Sequence, residues 1–347
     1  MRVSMRTKGG GEAFPANSQK AMLDLVAIGG MMVEFTCVGK TEAGMLLYER
    51  NPHSASVNVV SQVAKLGGRA GIIATIGKDE HGEYLYDLIE RMGLDVRNVK
   101  FSDNAGTMIQ FSYLEEGGGR YLTDYKGPRA DLEIYTDRID RDQAGETKVF
   151  LYTHLSHTVG APIFQTTEDL RNTAADNNAM IAYAPNRHIP FKTHEERRTV
   201  ADSVESSQIL KLTVEELEFI LGEKDIYMAT GKLLRNNAKI VAVTMGKNGC
   251  FLRNRNGCAY QPAYAVDALD TTGVGDSFMG AMIYMLTRDG VDLDAMTKGD
   301  LDETANFANA CASASTMLRG SFTAMPGIAS VRWVIKNTPR ALSAMIV

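Results

Sequence analysis

The residues best suited to catalysis in this sequence lie in one short stretch, where two glycines come just before an aspartate. Apolar residues recur at helical spacing over 279–286, which predicts a buried helix that begins near Gly275. Gly273 and Gly275 let the backbone approach a ligand closely, and the amide groups at a helix N-terminus favour an anion. The stretch therefore predicts a site for a phosphate group.

Asp276 stands in the first turn of this predicted helix, where an acidic side chain has two interpretations. It can cap the helix, because acidic residues are common at helix N-termini. It can also be the base that accepts the proton of an incoming hydroxyl beside a phosphate site. In phosphoryl transfer that proton can leave late, so the position of the carboxylate matters more than its basicity. The residues alone leave both interpretations open.

Three other patterns resemble known sites but fail in their spacing. Residues 39–41, Gly-Lys-Thr, look like the end of a P-loop, yet Glu34 stands where the first glycine is required. The glycines at 29–30 follow a predicted strand, but the spacing of a dinucleotide-binding motif is not met. His154 and His157 lack a third ligand at a suitable spacing. We therefore predict turns at the glycines and no metal site at the histidines.

The elements that must position the phosphate site alternate between strands and helices along most of the chain. This alternation predicts an α/β fold with a parallel sheet and helices on its faces. A capping box, Thr213 followed by Glu216, opens one of the helices. Strands are predicted at 25–28 with a continuation at 31–33, and at 70–76, 149–152, 180–183, 208–210 and 240–243; the other helices are predicted at 59–66, 80–92, 166–177, 275–286 and 302–318.

The alternation breaks where two strand-like runs, 107–114 and 120–125, flank the sequence Glu-Glu-Gly-Gly-Gly at 115–119. Such a glycine-rich connection predicts a β-hairpin. An antiparallel insertion of this kind can leave the main sheet and form a flap.

Composition excludes several classes of partner. The 347 residues carry 37 basic and 42 acidic side chains, a net charge of −5, and no basic run, so we expect no nucleic acid partner. No stretch approaches the roughly 20 apolar residues of a membrane span, so we expect no membrane partner. The four cysteines have no metal-binding spacing, which favours reduced thiols in the cytoplasm. Residues 1–21 are predicted to be a flexible tail.

From about residue 22 to residue 330 the sequence resembles the PfkB/ribokinase family of carbohydrate kinases. Residues 270–278, Asp-Thr-Thr-Gly-Val-Gly-Asp-Ser-Phe, look like the family's C-terminal signature. Further similar motifs follow the family's order, at Asn58 with 66–68, and at 76–82, 211–217, 243–249 and 307–310. The resemblance implies a doubly wound, mostly parallel sheet with helices on both faces and a small β lid. It implies a core at 22–34, 53–105 and 130–330, a lid at 35–52 and 106–129, and a C-terminal extension at 331–347.

The resemblance also implies a role for each matching residue in an ATP- and magnesium-dependent kinase. Asp276 would be the general base, and the backbone at Gly273, Val274 and Gly275 would form an anion hole. Glu216 would order Mg²⁺ through water, and Asp270 with Thr272 would lie near a K⁺ site. The remaining nucleotide positions are Thr244, Gly246, Gly249 and Asn309, and the substrate positions are Glu34, Ser54, Asn58 and Arg129.

The departures from the family pattern fall mainly on the substrate side. His53 and Ser54 stand at a Gly-Gly hinge, Glu34 replaces an aspartate, and 184–186 read Ala-Pro-Asn in place of Asp-Pro-Asn. We therefore expect a small sugar or sugar-like acceptor other than the usual hexose or pentose. A nucleoside kinase and a catalytically silent nucleotide-binding protein are the alternatives. The lid strands are also expected to allow a homodimer, because exposed strand edges tend to pair.

Overall fold

The structure, a computed structural model, describes residues 22–114, 120–185, 193–288 and 290–341. The predicted tail at 1–21, the hairpin connection at 115–119 and Asn186 lie outside these ranges. The strands are β1 (Leu23–Ile28), β2 (Met32–Lys40), β3 (Leu46–His53), β4 (Ala70–Gly77), β5 (Asp95–Ser102), β6 (Met108–Leu114), β7 (Arg120–Asp124), β8 (Thr147–Thr153), β9 (Met180–Ala184), β10 (Ile209–Thr213), β11 (Ile240–Thr244), β12 (Cys250–Arg253) and β13 (Cys258–Gln261). The helices are α1 (Ala55–Lys65), α2 (Glu80–Arg91), α3 (Asp142–Gly145), α4 (His154–Thr158), α5 (Ile163–Asp176), α6 (His194–Ser206), α7 (Val214–Leu221), α8 (Ile226–Arg235), α9 (Val274–Thr287), α10 (Lys298–Ser315) and α11 (Ile328–Asn337).

Nine strands form the larger sheet, in the order β13-β12-β11-β10-β9-β8-β1-β4-β5. Neighbouring strands from β11 to β5 are parallel, whereas β12 and β13 run antiparallel at one edge. The chain order reverses between β1 and β8. In doubly wound sheets, ligands bind outside the carboxyl ends of the strands at such a reversal. The predicted α/β architecture with a doubly wound, mostly parallel sheet is confirmed.

Helices cover both faces of this sheet because its central strands are apolar on both sides. Leu25 and Ala27 of β1 belong to a core that includes buried residues of α1, α9 and α10. Val26 and Ile28 belong to a second core with residues of α5, α6 and α8. Helices α1 and α9 therefore share one layer, where they pack against each other. No helix in the described ranges is long and apolar enough to cross a membrane.

The smaller sheet has four strands in the order β3-β2-β6-β7. Its β2–β3 and β6–β7 pairs are antiparallel, and its β2–β6 pair is parallel. Side chains alternate between its faces. Phe35 stacks on Phe111 at 5.5 Å between ring centroids and meets His81 of α2 edge-on. On the opposite, polar face, Ser112 donates a hydrogen bond to Glu34. The small separate sheet predicted from the hairpin is confirmed.

Several details differ from the predicted elements. The run at 31–33 does not continue β1, because β2 starts at Met32 and enters the smaller sheet. The strand predicted at 208–210 extends to Thr213 as β10. No boundaries were predicted for strands β3, β5, β12 and β13 or for helices α3, α4, α6, α8 and α11. Most of α11 lies within the predicted extension at 331–347, and its Val331 and Val334 are buried in the core.

Candidate active site

The predicted phosphate loop leads directly into α9, whose N-cap residue is Gly273. Gly273 has a left-handed backbone with φ 73°, a conformation that favours glycine. A β-carbon at this position would lie 2.8 Å from Ser321 Cβ and 3.3 Å from Asn58 Nδ2. The close approach of these neighbours therefore also requires glycine. The loop ends at the positive end of the helix, as an anion site needs.

Asp276 is the third residue of α9, and its carboxylate is held by a residue from the opposite end of the sequence. Asn58 Nδ2 donates a hydrogen bond of 2.8 Å to Asp276 Oδ2. Asn58 is fully buried in α1. Its Oδ1 atom is also buried and has no hydrogen-bond partner among the described residues. The N-cap of α9 is Gly273, so the N-cap interpretation of Asp276 does not apply.

Lys211 lies beside the same loop, although sequence analysis gave it no role. It is the third residue of β10 and is only 8% exposed. A β-carbon on Gly275 would lie 3.0 Å from Lys211 Nζ. The sequence signal that could have found it is a lysine inside an otherwise apolar strand directly before the Thr213 capping box.

Asp270 organises the start of the loop. Its Oδ1 atom accepts hydrogen bonds from the backbone amide and the hydroxyl of Thr272, at 2.9 and 2.6 Å. Its Oδ2 atom accepts one from the Gly320 amide at 3.0 Å. The predicted cation-site residues Asp270 and Thr272 are therefore in contact, and they tie the loop to the segment that contains Gly320.

The predicted nucleotide residues lie beyond the carboxyl end of β11. Thr244 ends this strand, and the following turn has left-handed backbones at Gly246 (φ 55°) and Gly249 (φ 95°). A β-carbon on Gly249 would lie 2.0 Å from the Gln261 carbonyl oxygen, so the turn sits directly on the end of β13. Asn309 Nδ2 donates hydrogen bonds to the carbonyls of Gln261 and Pro262 at 3.2 and 2.7 Å. The structure thus brings Asn309 and the Gly249 turn against the same short segment.

Arg340, which lies outside every motif, also holds the segment formed by Gln261 and Pro262. It donates hydrogen bonds to the Pro262 carbonyl at 2.8 Å and to Gln261 Oε1 at 3.1 Å, and it also contacts Asn306. Its guanidinium lies 3.8 Å from the ring centroid of Tyr264. Burial raises the pKa of Tyr264, and the nearby arginine opposes that change. The C-terminal segment is therefore part of the support beneath the Gly249 turn.

Glu216 forms the predicted capping box with Thr213 at the start of α7. The Thr213 amide donates to Glu216 Oε2 at 2.7 Å, and the Glu216 amide donates to the Thr213 hydroxyl at 3.1 Å. The side chain is buried, at the carboxyl end of β10. No group of three acidic, histidine or cysteine side chains suited to a metal occurs in the described part of the chain. A lone carboxylate of this kind fits a magnesium ion held mainly by water and substrate oxygens.

Two of the departures on the substrate side contact each other. His53 Nδ1 lies 3.8 Å from Glu34 Oε2 and 3.2 Å from the Ser321 hydroxyl. Glu34 is 3% exposed, and its Oε1 atom accepts hydrogen bonds from Thr36 and Ser112. His53 therefore connects Glu34, on the polar face of the lid sheet, with Ser321, which packs on Gly273.

Arg129 forms an ion pair with Asp131 near the point where the strand order reverses between β1 and β8. The guanidinium donates to both carboxylate oxygens, at 3.0 and 2.6 Å, and these bonds raise the pKa of Arg129. Both residues line a cleft together with Gly30, Ser54 and residues at the end of β8. Ser54 caps α1 by accepting a hydrogen bond from the Val57 amide at 3.3 Å, so its hydroxyl is used at least in part by the helix.

The two histidines after β8 have structural partners. His157 is buried between the Ser203 hydroxyl at 2.8 Å and Glu168 Oε1 at 2.6 Å. Burial lowers the pKa of His154 from its usual range. Neither histidine belongs to a group of three potential metal ligands within the described ranges.

The amino-acid sequence matches a known protein family. The family model for pfkB family carbohydrate kinases matches residues 22–327. Fructokinase-1 of Zea mays is 31% identical over 321 residues, which cover 90% of this chain and 98% of the relative.

Solved structures share the fold at low sequence identity. A fructokinase from Xylella fastidiosa with bound ATP superposes with a TM-score of 0.80 at 20% identity, covering 91% of this chain and 99% of the other. An E. coli protein assigned to ribokinase II, solved with ATP and Mg²⁺, superposes with a TM-score of 0.79 at 21% identity, covering 90% and 98%.

Proposed function

This chain belongs to the pfkB family of carbohydrate kinases, and we propose that it transfers the γ-phosphoryl group of ATP to a hydroxyl of a sugar or sugar-like small molecule, with Asp276 as general base. Family membership makes it a sugar kinase, a phosphotransferase with an alcohol acceptor. One observation carries the roles proposed for its residues: Asp276 lies in the first turn of α9, next to the Gly273 and Gly275 backbone, with its carboxylate fixed by Asn58.

In the proposed reaction, the acceptor hydroxyl oxygen forms a bond to the γ-phosphorus as the bond to the β,γ-bridging oxygen breaks. The proton of the hydroxyl passes to Asp276, and ADP leaves. The amides at the start of α9 stabilise the negative charge on the transferring group. The buried Asn58 Oδ1 can accept a hydrogen bond from the acceptor, while Nδ2 keeps Asp276 in place.

The nucleotide is proposed to lie along the Gly249 turn, with Thr244, Gly246 and Asn309 at its borders. The fructokinase with bound ATP supports ATP as the phosphate donor. Mg²⁺ is present with ATP in the E. coli protein, and in this chain Glu216 would order the water of such an ion, which would supply positive charge beside the phosphates. Glu216 is held for this role by the Thr213 amide.

The acceptor is proposed to differ from fructose and ribose, although the curated relative from Zea mays is a fructokinase. The support is the contact between Glu34 and His53, which changes the charge and size of the substrate side at two neighbouring positions. Arg129 and Asp131 add a charged pair at the cleft. The polar lid face would close over the acceptor and exclude water, which otherwise competes for the phosphoryl group.

A panel of acceptors with ADP detection tests this proposal directly. Fructose, ribose, nucleosides and sugar acids are supplied with ATP and Mg²⁺, and Asp276→Asn serves as the inactive reference. Asp267→Asn, at an exposed aspartate in the preceding loop, is the matched control. We expect turnover of a sugar-like acceptor that Asp276→Asn lowers about 100- to 10,000-fold while ATP still binds. Clear preference for fructose or ribose contradicts the proposed acceptor, and near-normal turnover by Asp276→Asn contradicts the base.

The same panel separates the two alternatives. A nucleoside kinase of this fold would prefer a nucleoside acceptor. A catalytically silent nucleotide-binding protein would bind ATP in isothermal titration without transferring phosphate to any acceptor.

A homodimer through the lid is a further part of the proposal. The edge strands β3 and β7 expose Leu46, Leu47, Tyr121 and Leu122 to solvent. Edges of this kind tend to pair with another chain. Sedimentation velocity over a range of concentrations tests it, with Leu122→Lys expected to shift the protein to monomer; a wild-type monomer throughout is the contrary result.

Activation by K⁺ near Asp270 and Thr272, and a cytoplasmic location, are also proposed. The support for the first is the contact between these two residues at the start of the phosphate loop. Replacing K⁺ by Na⁺ in the assay tests the proposed activation.

The support for a cytoplasmic location is that Cys37, Cys250, Cys258 and Cys311 are all free thiols. Fractionation of cells that express the protein tests it.

A further inference from the structure

Lys211 occupies a position that the sheet geometry assigns to an apolar residue. Its neighbours Leu210 and Leu212 pack into the core on the face of α5, α6 and α8. Because side chains alternate along a strand, Lys211 points to the opposite face, toward α9. Ile209, two residues before it, belongs to the apolar core on that side. A lysine therefore lies where a strand normally contributes a core side chain.

The ammonium group of Lys211 has no protein partner to compensate for its burial. The residue is 8% exposed, and among the described residues no hydrogen bond or ion pair involves its Nζ atom. Nζ itself is not fully enclosed, but removing most of an unpaired lysine from water is unfavourable, so such lysines are normally paired or bind an ionic ligand. The burial cost indicates that Lys211 serves something other than packing.

The position of Nζ shows where a partner would lie. A β-carbon on Gly275 would be 3.0 Å from Nζ and 3.5 Å from Cε, so the ammonium lies against the second residue of α9. The N-terminus of a helix carries roughly half a positive charge. Two positive groups at one point repel each other unless an anion lies between them. The pair therefore forms a built anion site next to Asp276.

We propose that Lys211 is a catalytic residue that donates hydrogen bonds from its ammonium to the oxygens of the transferring phosphoryl group. This inference rests on the kinase activity proposed above. Lys211 exchanges no proton in this step: the acceptor's proton passes to Asp276, and the electron pair of the breaking phosphorus–oxygen bond leaves with ADP. Its charge stabilises the negative charge of the transition state, in the manner of a preorganised donor in a site closed to water.

The test compares Lys211→Met with Lys211→Arg and with Lys239→Met. Lys239 comes directly before β11, at the opposite end of the sheet, where it pairs with Asp294, so it is a matched lysine far from the site. Two quantities are measured besides turnover: binding of ATP by isothermal titration, and binding of ADP with aluminium fluoride as a mimic of the transferring group. Thermal unfolding is recorded for each variant.

Lys211→Met is expected to lower kcat about 100-fold or more, as removal of one transition-state donor does. ADP with aluminium fluoride should bind far more weakly, whereas binding of ATP should change much less. The melting temperature should stay the same or rise, because methionine removes an unpaired charge from a largely buried position. Lys211→Arg should retain part of the activity, and Lys239→Met should behave as the wild type.

Two results would overturn the proposal while leaving the kinase function intact. One is turnover within about threefold of wild type in Lys211→Met, together with undiminished binding of ADP with aluminium fluoride. The other is a loss of activity that is matched by a lower melting temperature and is equal for the arginine variant, which indicates a structural lysine. Absence of kinase activity in the wild type, by contrast, would refute the proposed function itself.

Discussion

Asn58 Nδ2 donates a 2.8 Å hydrogen bond to Asp276 Oδ2 across 218 residues of sequence. The contact joins α1, which follows the lid strand β3, to α9, which follows the phosphate loop. Because Asn58 is fully buried, its amide has little freedom to leave the carboxylate. The geometry of the proposed base is therefore set by a residue on the substrate side, and the two halves of the site are mechanically linked.

Replacing Asn58 tests this link. Asn58→Ala removes the donor to Asp276 and the buried acceptor Oδ1, and a hydrogen bond to a charged group is worth about 1.5–3 kcal/mol. We expect kcat/KM for the acceptor to fall roughly 10- to 100-fold with little change in ATP binding. Steady-state kinetics measure it, and Asn172→Ala, at an exposed asparagine of α5, is the control. A defect confined to ATP binding would contradict the assignment.

Asn58→Asp makes a separate prediction about pH. A second carboxylate beside Asp276 raises the pKa of the pair, because two like charges at hydrogen-bond distance resist ionisation. A general base works only when deprotonated, so a higher pKa means that activity disappears at a higher pH as the solution is acidified. The acid limb of the kcat/KM profile should therefore move to higher pH relative to wild type. An unchanged acid limb in an active variant would show that Asp276 is not the titrating base.

Gly273→Ala separates backbone strain from steric contact at the phosphate loop. Left-handed backbone costs a non-glycine residue about 1–2 kcal/mol, and the new β-carbon would also lie 2.8 Å from Ser321 Cβ. Gly93 has a similar φ of 75° but open space around it, so Gly93→Ala is a control matched in strain. Gly93→Ala should lose stability through strain alone, and Gly273→Ala should lose more in denaturant unfolding, because the contact with Ser321 adds to the strain. Only Gly273→Ala should also lose about 100-fold or more in kcat, and equal kinetics in the two variants would be the contrary result.

The sequence predicted the elements whose signals are local. The capping box of Thr213 and Glu216 is present in the structure, and the helix predicted from residue 275 begins at Val274. Edge strands were harder, because their residues alternate irregularly between core and solvent. β5, for example, has the sequence Asp-Val-Arg-Asn-Val-Lys-Phe-Ser and is largely half-buried.

Contacts between distant parts of the chain could not be read from any local pattern. Lys211 belongs to the motif at 211–217, but only the tertiary fold shows that its ammonium lies beside Gly275. Glu34 and His53 were separate departures from a family pattern, and the lid sheet brings them within 3.8 Å. Periodicity reports which face of an element is buried, whereas the identity of its neighbour depends on the tertiary fold.

The cysteines provide a test of the packing behind the site. Burial raises the pKa of both Cys250 and Cys311 to about 12, whereas Cys37 and Cys258 are half-buried. Alkylation requires the thiolate, so at pH 8.5 the two buried thiols should react far more slowly. Mass spectrometry after brief treatment with iodoacetamide should find label at Cys37 and Cys258 first, and the denatured protein should label at all four. Equally fast labelling of Cys311 in the native protein would contradict the packing of α9 on α10.

Arg340 is predicted to affect nucleotide affinity without touching the reacting atoms. It holds Gln261 and Pro262, on which the Gly249 turn rests, and the backbone beside it pairs with this segment: the Ala341 amide donates to the Ala263 carbonyl at 2.7 Å. Residues that act through a network of this kind change binding by about 0.5–2 kcal/mol. Arg340→Ala should therefore raise KM for ATP roughly 2- to 30-fold while kcat stays within about threefold of wild type.

The control for Arg340→Ala is Arg91→Ala, which removes an exposed arginine paired with Asp87 at 3.5 Å on the surface of α2. It should leave both KM values unchanged, since exposed pairs contribute little. Direct titration with ATP distinguishes a change of affinity from a change in later steps. If Arg340→Ala lowers kcat as strongly as it raises KM for ATP, or raises KM for the acceptor instead, the C-terminal segment supports more than the nucleotide turn. A change in the melting temperature alone would mean that the Gly249 turn keeps its position without Arg340. Asn309 would then suffice to fix the carbonyls of Gln261 and Pro262, on which the turn rests.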